Sequence, residues 1–444
     1  MTPVSLRREL GLAGAVLLGL GSILGTGVFV SLGIAAGIAG GGVVPALVLA
    51  AGLASCNALS SARLAAAYPV SGGTYEYGHA LLNPSLGFAA GWLFLCAKIA
   101  SAATAAIGVV GYACRLVGVE PGGWLGPLAA AVALGTTLLV LGGLRRSSAA
   151  NAAIVGVTLL ALGAFAVAGL VLRPGGAGAT SRGIAALHPD AAGAFFHATA
   201  LMFVAYTGYA RIATLGEEVR APARTIPRAI VLTLIVSAAL YVLVALAALG
   251  AVDGTVLAAA AASGAVPLEA AAAALGLPGL TELVALGAVT AMLGVLLNLL
   301  LGLSRVALAM GRRGDLPPRL ARVSGRGSPS IAVVAVGTIV ALVAAFGAVE
   351  LTWSFSALTV LIYYGITNAA ALRLPGARDG RWVPWAGLGG CAFLILFLPP
   401  GVWLLGGALI GVGFAWRRLA QRLWRGSAAA AGPDPSSAPR RIEG

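Results

Sequence analysis

Apolar length governs what this chain can become. A helix that crosses a bilayer needs about 20 mostly apolar residues. Twelve stretches qualify, near residues 11–36, 43–66, 86–113, 124–142, 150–172, 193–216, 227–250, 278–310, 330–349, 351–373, 383–400 and 402–420. Between and within them charge is scarce: 59% of the 444 residues are hydrophobic and 9% are Asp, Glu, Lys or Arg. A soluble domain carries about 25% charged residues, so this composition cannot solvate a water-soluble surface. The 64 glycines and many alanines suit close helix packing in lipid. The expectation is an all-α membrane protein of twelve transmembrane helices. The first apolar run is too long for the h-region of a cleaved signal peptide. The alanine-rich segment 254–276 contains Asp253, Pro267 and Glu269 and reads as an extramembrane helical loop. The Ala/Pro/Ser-rich tail from Gly426 reads as disordered.

The net charge of +14 is a topology signal. With the N-terminus inside, cytoplasmic segments hold most of the arginines, including Arg7, Arg8, Arg145, Arg146, Arg312, Arg313, Arg417 and Arg418. The outside loops hold only Arg115, Arg173 and Arg182. That bias is the positive-inside rule, and it places both termini in the cytoplasm and the protein in the inner membrane. No nucleic-acid partner is needed to explain the charge. Cys56, Cys96, Cys114 and Cys391 lie in or beside apolar segments and read as small hydrophobes rather than a disulfide framework. No metal-ligand spacing occurs, and no cofactor is implied.

Two spans are poorly built as continuous helices. The first carries Gly19-Leu20-Gly21-Ser22-Ile23-Leu24-Gly25-Thr26-Gly27, and the sixth carries Ala205-Tyr206-Thr207-Gly208-Tyr209. Each glycine weakens a helix by about 1 kcal/mol relative to alanine. Unwound backbone is tolerated in a membrane only where it lines a cavity or is buried in protein. Freed N–H groups attract a carboxylate and freed carbonyls attract an ammonium, the two charges of an α-amino acid. Close packing of small residues is the structural alternative. The breaks lie five spans apart, so they enter from opposite sides, which marks an inverted-repeat transporter with a midplane site.

Gly21-Ser22-Ile23-Leu24-Gly25-Thr26-Gly27-Val28-Phe29 resembles the first-helix motif of the amino acid–polyamine–organocation superfamily of permeases. Further stretches match in order: Tyr68-Pro69-Val70-Ser71-Gly72-Gly73-Thr74-Tyr75, then Glu217-Glu218-Val219 with Pro222 through Ile230, then Ser304-Arg305 with Met310 and Gly314-Asp315-Leu316-Pro317. Within the superfamily the chain is most similar to bacterial permeases related to cationic amino acid transporters. The resemblance implies a 5+5 inverted repeat, with repeat one at about 11–172, repeat two at about 193–373 and two extra helices at about 383–420. Residues 1–10 and 421–444 then flank the transporter domain on the cytoplasmic side. It also implies amino acids as substrates, with the carboxylate on the backbone of Gly25, Thr26 and Gly27. The amino group would fall to the carbonyls of Ile23, Val204, Ala205 and Thr207. Many relatives carry an aromatic gate at the position of Val204, so Phe203 or Tyr206 is expected to take that role. Some carry an acidic residue where this chain has Ala210. Many sodium-independent relatives place a span 5 lysine where a sodium ion would sit, and that position is Thr158 here.

Lys98 is the sole lysine, near the middle of the span 86–113. Snorkelling from there would need a reach of about 15–20 Å at 1.5 Å per residue, so its burial reads as functional. It is expected to be a proton-linked or sodium-mimicking cation, or else a hydrogen-bond donor to unwound carbonyls. Arg211, Glu217 and Glu218 near the end of span 6 are candidates for a gate of ion pairs. A membrane enzyme would need clustered histidines and carboxylates, and nothing in the sequence assembles them. A permease-derived receptor is disfavoured by the intact Gly25-Thr26-Gly27. The expectation is a secondary active transporter, a proton-coupled, sodium-independent symporter of neutral amino acids, since no carboxylate stands in the cavity-lining stretches to meet a cationic side chain. Exchange, or the carriage of polyamines or cationic amino acids, is the alternative.

Overall fold

A chain with this apolar run length has one economical solution in lipid, which is to satisfy its backbone within helices. The structure, a computed structural model, describes residues 8–119, 122–172, 192–262, 267–325, 327–346, 352–375 and 380–428. Among the described residues no strand occurs, only two single-residue bridges, Leu10 with Val219 and Ser71 with Leu215. The helices are α1 (Leu12–Ile23), α2 (Leu32–Ala39), α3 (Val43–Ala67), α4 (Thr74–Leu81), α5 (Pro84–Leu116), α6 (Leu125–Leu141) and α7 (Leu144–Leu172). They continue as α8 (Ala192–Tyr206), α9 (Ala210–Thr214), α10 (Pro222–Ala251), α11 (Gly254–Ala262), α12 (Pro267–Ala274), α13 (Leu280–Arg312), α14 (Ser330–Phe346), α15 (Thr352–Leu372), α16 (Trp382–Ile395) and α17 (Pro400–Ala428).

In their described parts, the twelve apolar stretches lie mostly on these helices. Among the described residues, seven helical segments are long and apolar enough to cross a membrane, the first being the stretch Leu12–Ala67, and three shorter apolar helices accompany them. The segment expected as a helical loop forms α11 and α12, which pack on α2. The last helix is longer than expected: α17 runs to Ala428, past the boundary at 420 and into the stretch read as disordered from Gly426. The rest of that tail, like Arg173 and Arg182, lies outside the described residues.

Two residue classes sort the helix faces. Aliphatic side chains such as Leu138, Leu160, Val167, Val171, Ile235 and Leu342 stand exposed on the periphery, a surface that water would not tolerate over such an area. Small residues mark the inward contacts. A Cβ on Gly169 of α7 would approach Ala247 of α10 to 2.6 Å, and one on Gly337 of α14 would run into the Thr137 side chain of α6. The most extensive packing is of α5 on α13, followed by α3 on α10 and α6 on α14.

The α6–α14 contact therefore depends on Gly337 having no side chain. Gly337→Val should destabilise the protein by about 1–3 kcal/mol through overpacking, read as a lower melting temperature in detergent. Gly135 of α6 has open space where a Cβ would go, so Gly135→Ala should hold or slightly raise the melting temperature, since alanine is the better helix former.

Candidate functional site

The glycine-rich stretch in the first apolar run does break the helix. α1 ends at Ile23, and Leu24 turns extended at φ −72°, ψ 93°. The chain re-enters helix through a π-helical turn, Gly27–Ser31, which leads into α2. Leu24 N donates to Leu20 O at 2.7 Å, and the amides of Val28 and Phe29 both donate to Gly25 O at 3.2 Å. The amides of Gly25, Thr26 and Gly27 make no backbone hydrogen bond among the described residues, as expected for the first donors of a restarted helix. Both flanking glycines are needed for close approach rather than for unusual dihedrals. A Cβ on Gly27 would lie 2.6 Å from Ala205 Cβ and 3.0 Å from the Tyr241 hydroxyl, while one on Gly25 would collide with Val295 of α13.

Span 6 breaks less than its sequence suggests. Between α8 and α9 lies a single 3-10 turn, Thr207–Tyr209, with Tyr206 at φ −85°, ψ −12° and Ala210 at φ −59°, ψ −22° on either side. The expectation of an unwound stretch is corrected to one tightened turn, because one glycine among Tyr and Thr does not force these residues out of right-handed helical space. Gly208 nevertheless brings the two broken spans together. A Cβ there would lie 2.5 Å from the Ser22 carbonyl and from Ile23 Cγ1.

The carbonyls expected to receive an ammonium are already engaged. Tyr241 OH donates to Ile23 O at 2.6 Å and lies 3.4 Å from Ala205 O. Thr207 Oγ1 donates to Val204 O at 2.8 Å. Thr207 O accepts from Tyr364 OH at 3.0 Å and from Arg211 Nη1 at 3.3 Å. A carbonyl has a second lone pair, so the Tyr241 bond pre-orients Ile23 O without using it up, whereas Thr207 O already accepts from two donors and would have to release one to take an ammonium. Phe203 and Tyr206, the expected gate aromatics, are fully buried. Phe203 meets Tyr364 edge-on at 5.8 Å, and Tyr206 lies 5.1 Å from Tyr241 with its own hydroxyl unpartnered. From the other side Asn298 Nδ2 donates to Asn151 Oδ1 at 2.6 Å, and Asn151 Nδ2 donates to Leu17 O at 2.9 Å. Tyr241, Tyr364, Asn151 and Asn298 thus brace the breaks. A Tyr or Asn inside an aliphatic run is the sequence signal that points to such residues.

Lys98 lines a small cavity with Thr207, Ala210, Arg211, Tyr363 and Tyr364, whose volume of about 10 Å³ holds roughly one water molecule. The cavity lies between α5, the 3-10 turn with α9, and α15, and no residue of the first broken span lines it. Thr158, at the position of the family's span 5 lysine, sits elsewhere, hydrogen-bonded to Ile154 O and 3.0 Å from Thr290 Oγ1. Arg211 lines the Lys98 cavity and donates to Thr207 O, whereas Glu217 and Glu218 pair with other arginines.

Those carboxylates belong to a cluster that gathers the separate motif stretches. Arg305 grips Glu218 with two bonds, of 2.7 and 2.9 Å, each side chain 2% exposed. Arg312 pairs with Glu217 at 2.9 Å, Glu217 also accepts from Ser71 N at 2.9 Å, and Arg313 pairs with Glu76. Asp315 accepts from Tyr75 OH at 2.8 Å and from Arg417 at 3.3 Å. Glu9 and Leu10 donate their amides to Glu218 O at 3.0 Å, and Arg220 N returns a bond to Leu10 O. The N-terminal strap, the segment before α4, the end of α9 and the exit of α13 are tied at one end of the bundle. Removing one partner of a buried ion pair costs about 3–5 kcal/mol because the other charge is stranded. Arg305→Met should therefore destabilise by that amount in detergent unfolding. Arg305→Met with Glu218→Gln should cost far less than the two single losses added together.

The amino acid permease family profile matches residues 14–415. Uncharacterised transporters of Mycobacterium tuberculosis and Mycobacterium bovis are 44% identical to this chain over 417 residues, 93% of this chain and 91% of theirs. The branched-chain amino acid permease BcaP of Bacillus subtilis is 29% identical over 357 residues, covering 76% and 74% of the two chains. Cationic amino acid transporter 9, chloroplastic, of Arabidopsis thaliana is 29% identical over 345 residues, covering 72% and 58%. The chain belongs to the amino acid permease family of the amino acid–polyamine–organocation superfamily, and is an integral membrane transporter rather than an enzyme.

Proposed function

We propose that this protein is a sodium-independent, proton-coupled importer of amino acids whose side chains carry no positive charge, neutral ones foremost. It works by alternating access in the cytoplasmic membrane, with both termini inside. The observation that carries the reading is the pairing at the two breaks. The amides of Gly25, Thr26 and Gly27 lack backbone acceptors among the described residues, and Gly208 brings the span 6 turn against Ser22 and Ile23. An α-carboxylate on those amides and an α-ammonium toward Ile23, Val204, Ala205 and Thr207 carbonyls uses both sets of groups. The side-chain end of the site argues against cations, since Lys98 and Arg211 line the adjoining cavity. The name of the branched-chain permease relative agrees with a neutral substrate.

The architecture invoked is twelve spans, with two five-helix repeats at 11–172 and 193–373 and two further helices at 383–420. Its support is a packing pattern that survives exchange of each span with the one five places on. The exchanged pairs α3 and α10, α5 and α13, and α6 and α14 pack on each other, and the contact of α7 on α13 is matched by that of α5 on α15. Rocking of one repeat against the other would open the cluster of Glu218, Arg305, Glu217 and Arg312 as the cytoplasmic gate. Phe203 and Tyr206 would occlude the substrate. Lys98 is the group placed to link protons to transport, because opening hydrates it, closure dries it, and only a difference in proton affinity between states couples the two. Cationic amino acid transporters among the relatives favour a second reading, exchange or uptake of cationic substrates. The two buried cations speak against it.

Uptake into proteoliposomes separates the readings. Alanine, leucine or glutamine should enter faster than lysine or arginine, should be driven by an inward proton gradient, and should ignore sodium. Gly27→Val, folded in the membrane, should lose uptake altogether. Preference for arginine, or wild-type uptake by folded Gly27→Val, contradicts the proposal.

A further inference from the structure

The cavity beside the span 6 turn has a charge inventory that amino acid binding at the breaks does not use. Lys98 and Arg211 both line it, at 6% and 4% exposure. A guanidinium keeps its proton in a protein, so the cavity holds at least one fixed positive charge and a second basic group. Among the described residues no carboxylate lines it. The acids nearest in sequence, Glu217 and Glu218, are paired with Arg312 and Arg305 at the end of the bundle.

Nor do the hydroxyls of the lining supply a counter-charge. Thr207 Oγ1 donates to Val204 O, and Tyr364 OH to Thr207 O. Thr359 Oγ1 donates to Ser356 O, and Tyr363 OH accepts from Thr74 N. Arg211 Nε is buried with no partner, and Lys98 has no hydrogen-bond or ion-pair partner among the described residues. Two buried basic groups, both with donors unspent, face one water-sized space. Burying a charge without a partner is heavily unfavourable, and two like charges compound it. A single monovalent anion relieves both. It fills a space of that size and gives each unspent donor a charged acceptor.

We propose that this cavity is an anion site, in which Lys98 and Arg211 together hold either a free halide or a carboxylate borne on a side chain. In the conformation described, the volume suits a halide. A side-chain carboxylate requires the cavity to widen, and it would enter from Thr207, which belongs to both the cavity and the span 6 turn. The carried carboxylate rests on amino acid binding at the breaks, whereas a halide in the cavity does not.

Melting of the purified transporter in a neutral detergent tests it, starting in sodium methanesulfonate. Sodium chloride is titrated in at constant ionic strength. L-aspartate and L-glutamate are then titrated against L-asparagine and L-glutamine. The expected result is a saturable rise in melting temperature with chloride, with the acidic amino acids, or with both in competition. Chloride alone identifies a free halide, and a response to the acids but not their amides identifies a carried carboxylate. In Lys98→Met the half-effect concentration should rise about tenfold or more, the worth of a charge-assisted hydrogen bond. Lys98→Arg should keep the response. If Lys98→Met does not purify folded, Val360→Phe, which fills the cavity and keeps both charges, must weaken the response instead. No saturable shift with either probe overturns the site, as does a midpoint unchanged in these variants.

Discussion

A helix that breaks inside lipid has no water to meet its freed backbone groups, so the protein must supply partners. That constraint organises the centre of this molecule. Tyr241 reaches from α10 to the carbonyl on which α1 ends, and Tyr364 reaches from α15 to the carbonyl of Thr207. Asn151 and Asn298 close the opposite flank, with Gly21 packed against both. The carbonyl side of the breaks is thereby held from four helices, α7, α10, α13 and α15. The amide side, at Gly25 through Gly27, is left for something else. An asymmetry of this kind fits a site that is preorganised for a carboxylate yet holds together without one.

Glycine positions show how the two breaks are kept in register. Gly27 and Gly208 each sit where a Cβ would strike the other broken span, the first at Ala205 and the second at Ser22 and Ile23. Movement of one span is therefore felt by the other without an intervening side chain. At the far end of the bundle the Glu218–Arg305 pair ties the chain just after α9 to α13. The backbone of the same residue, Glu218, is held by Glu9 and Leu10. One residue thus couples the N-terminal strap, the broken span and α13, which is the kind of discrete contact an alternating-access cycle can make and break.

Much of this was legible in the sequence because apolar length and glycine density are local signals. In their described parts, the twelve stretches lie mostly on helices, and the break after Ile23 sits where glycines crowd. The legibility ends where chemistry depends on which helices meet. Span 6 was read as unwound, but a lone Gly208 leaves Tyr206 and Ala210 helical, and the departure is one 3-10 turn. Arg211 was grouped with Glu217 and Glu218 by proximity along the chain. Six to seven residues of mostly helical backbone turn its side chain toward α5 and α15 instead. Lys98 and Arg211 were each legible as ions inside a span, whereas their meeting was not, since nothing short of the fold brings α5 against the span 6 turn. The motif stretches at Ser71, Glu217 and Asp315 carried a family resemblance long before they showed a physical reason for it. That reason is the ion-pair cluster that gathers them.

The central claim is that backbone amides at the first break, and not the buried cations, receive the carboxylate of the transported amino acid. An electron cryo-microscopy structure with bound L-leucine tests it most directly. The account predicts the carboxylate within about 3 Å of the amides of Gly25, Thr26 and Gly27, with the ammonium toward the Ile23 and Thr207 carbonyls. A leucine whose carboxylate rests on Lys98 and Arg211, leaving those amides to water, would contradict it.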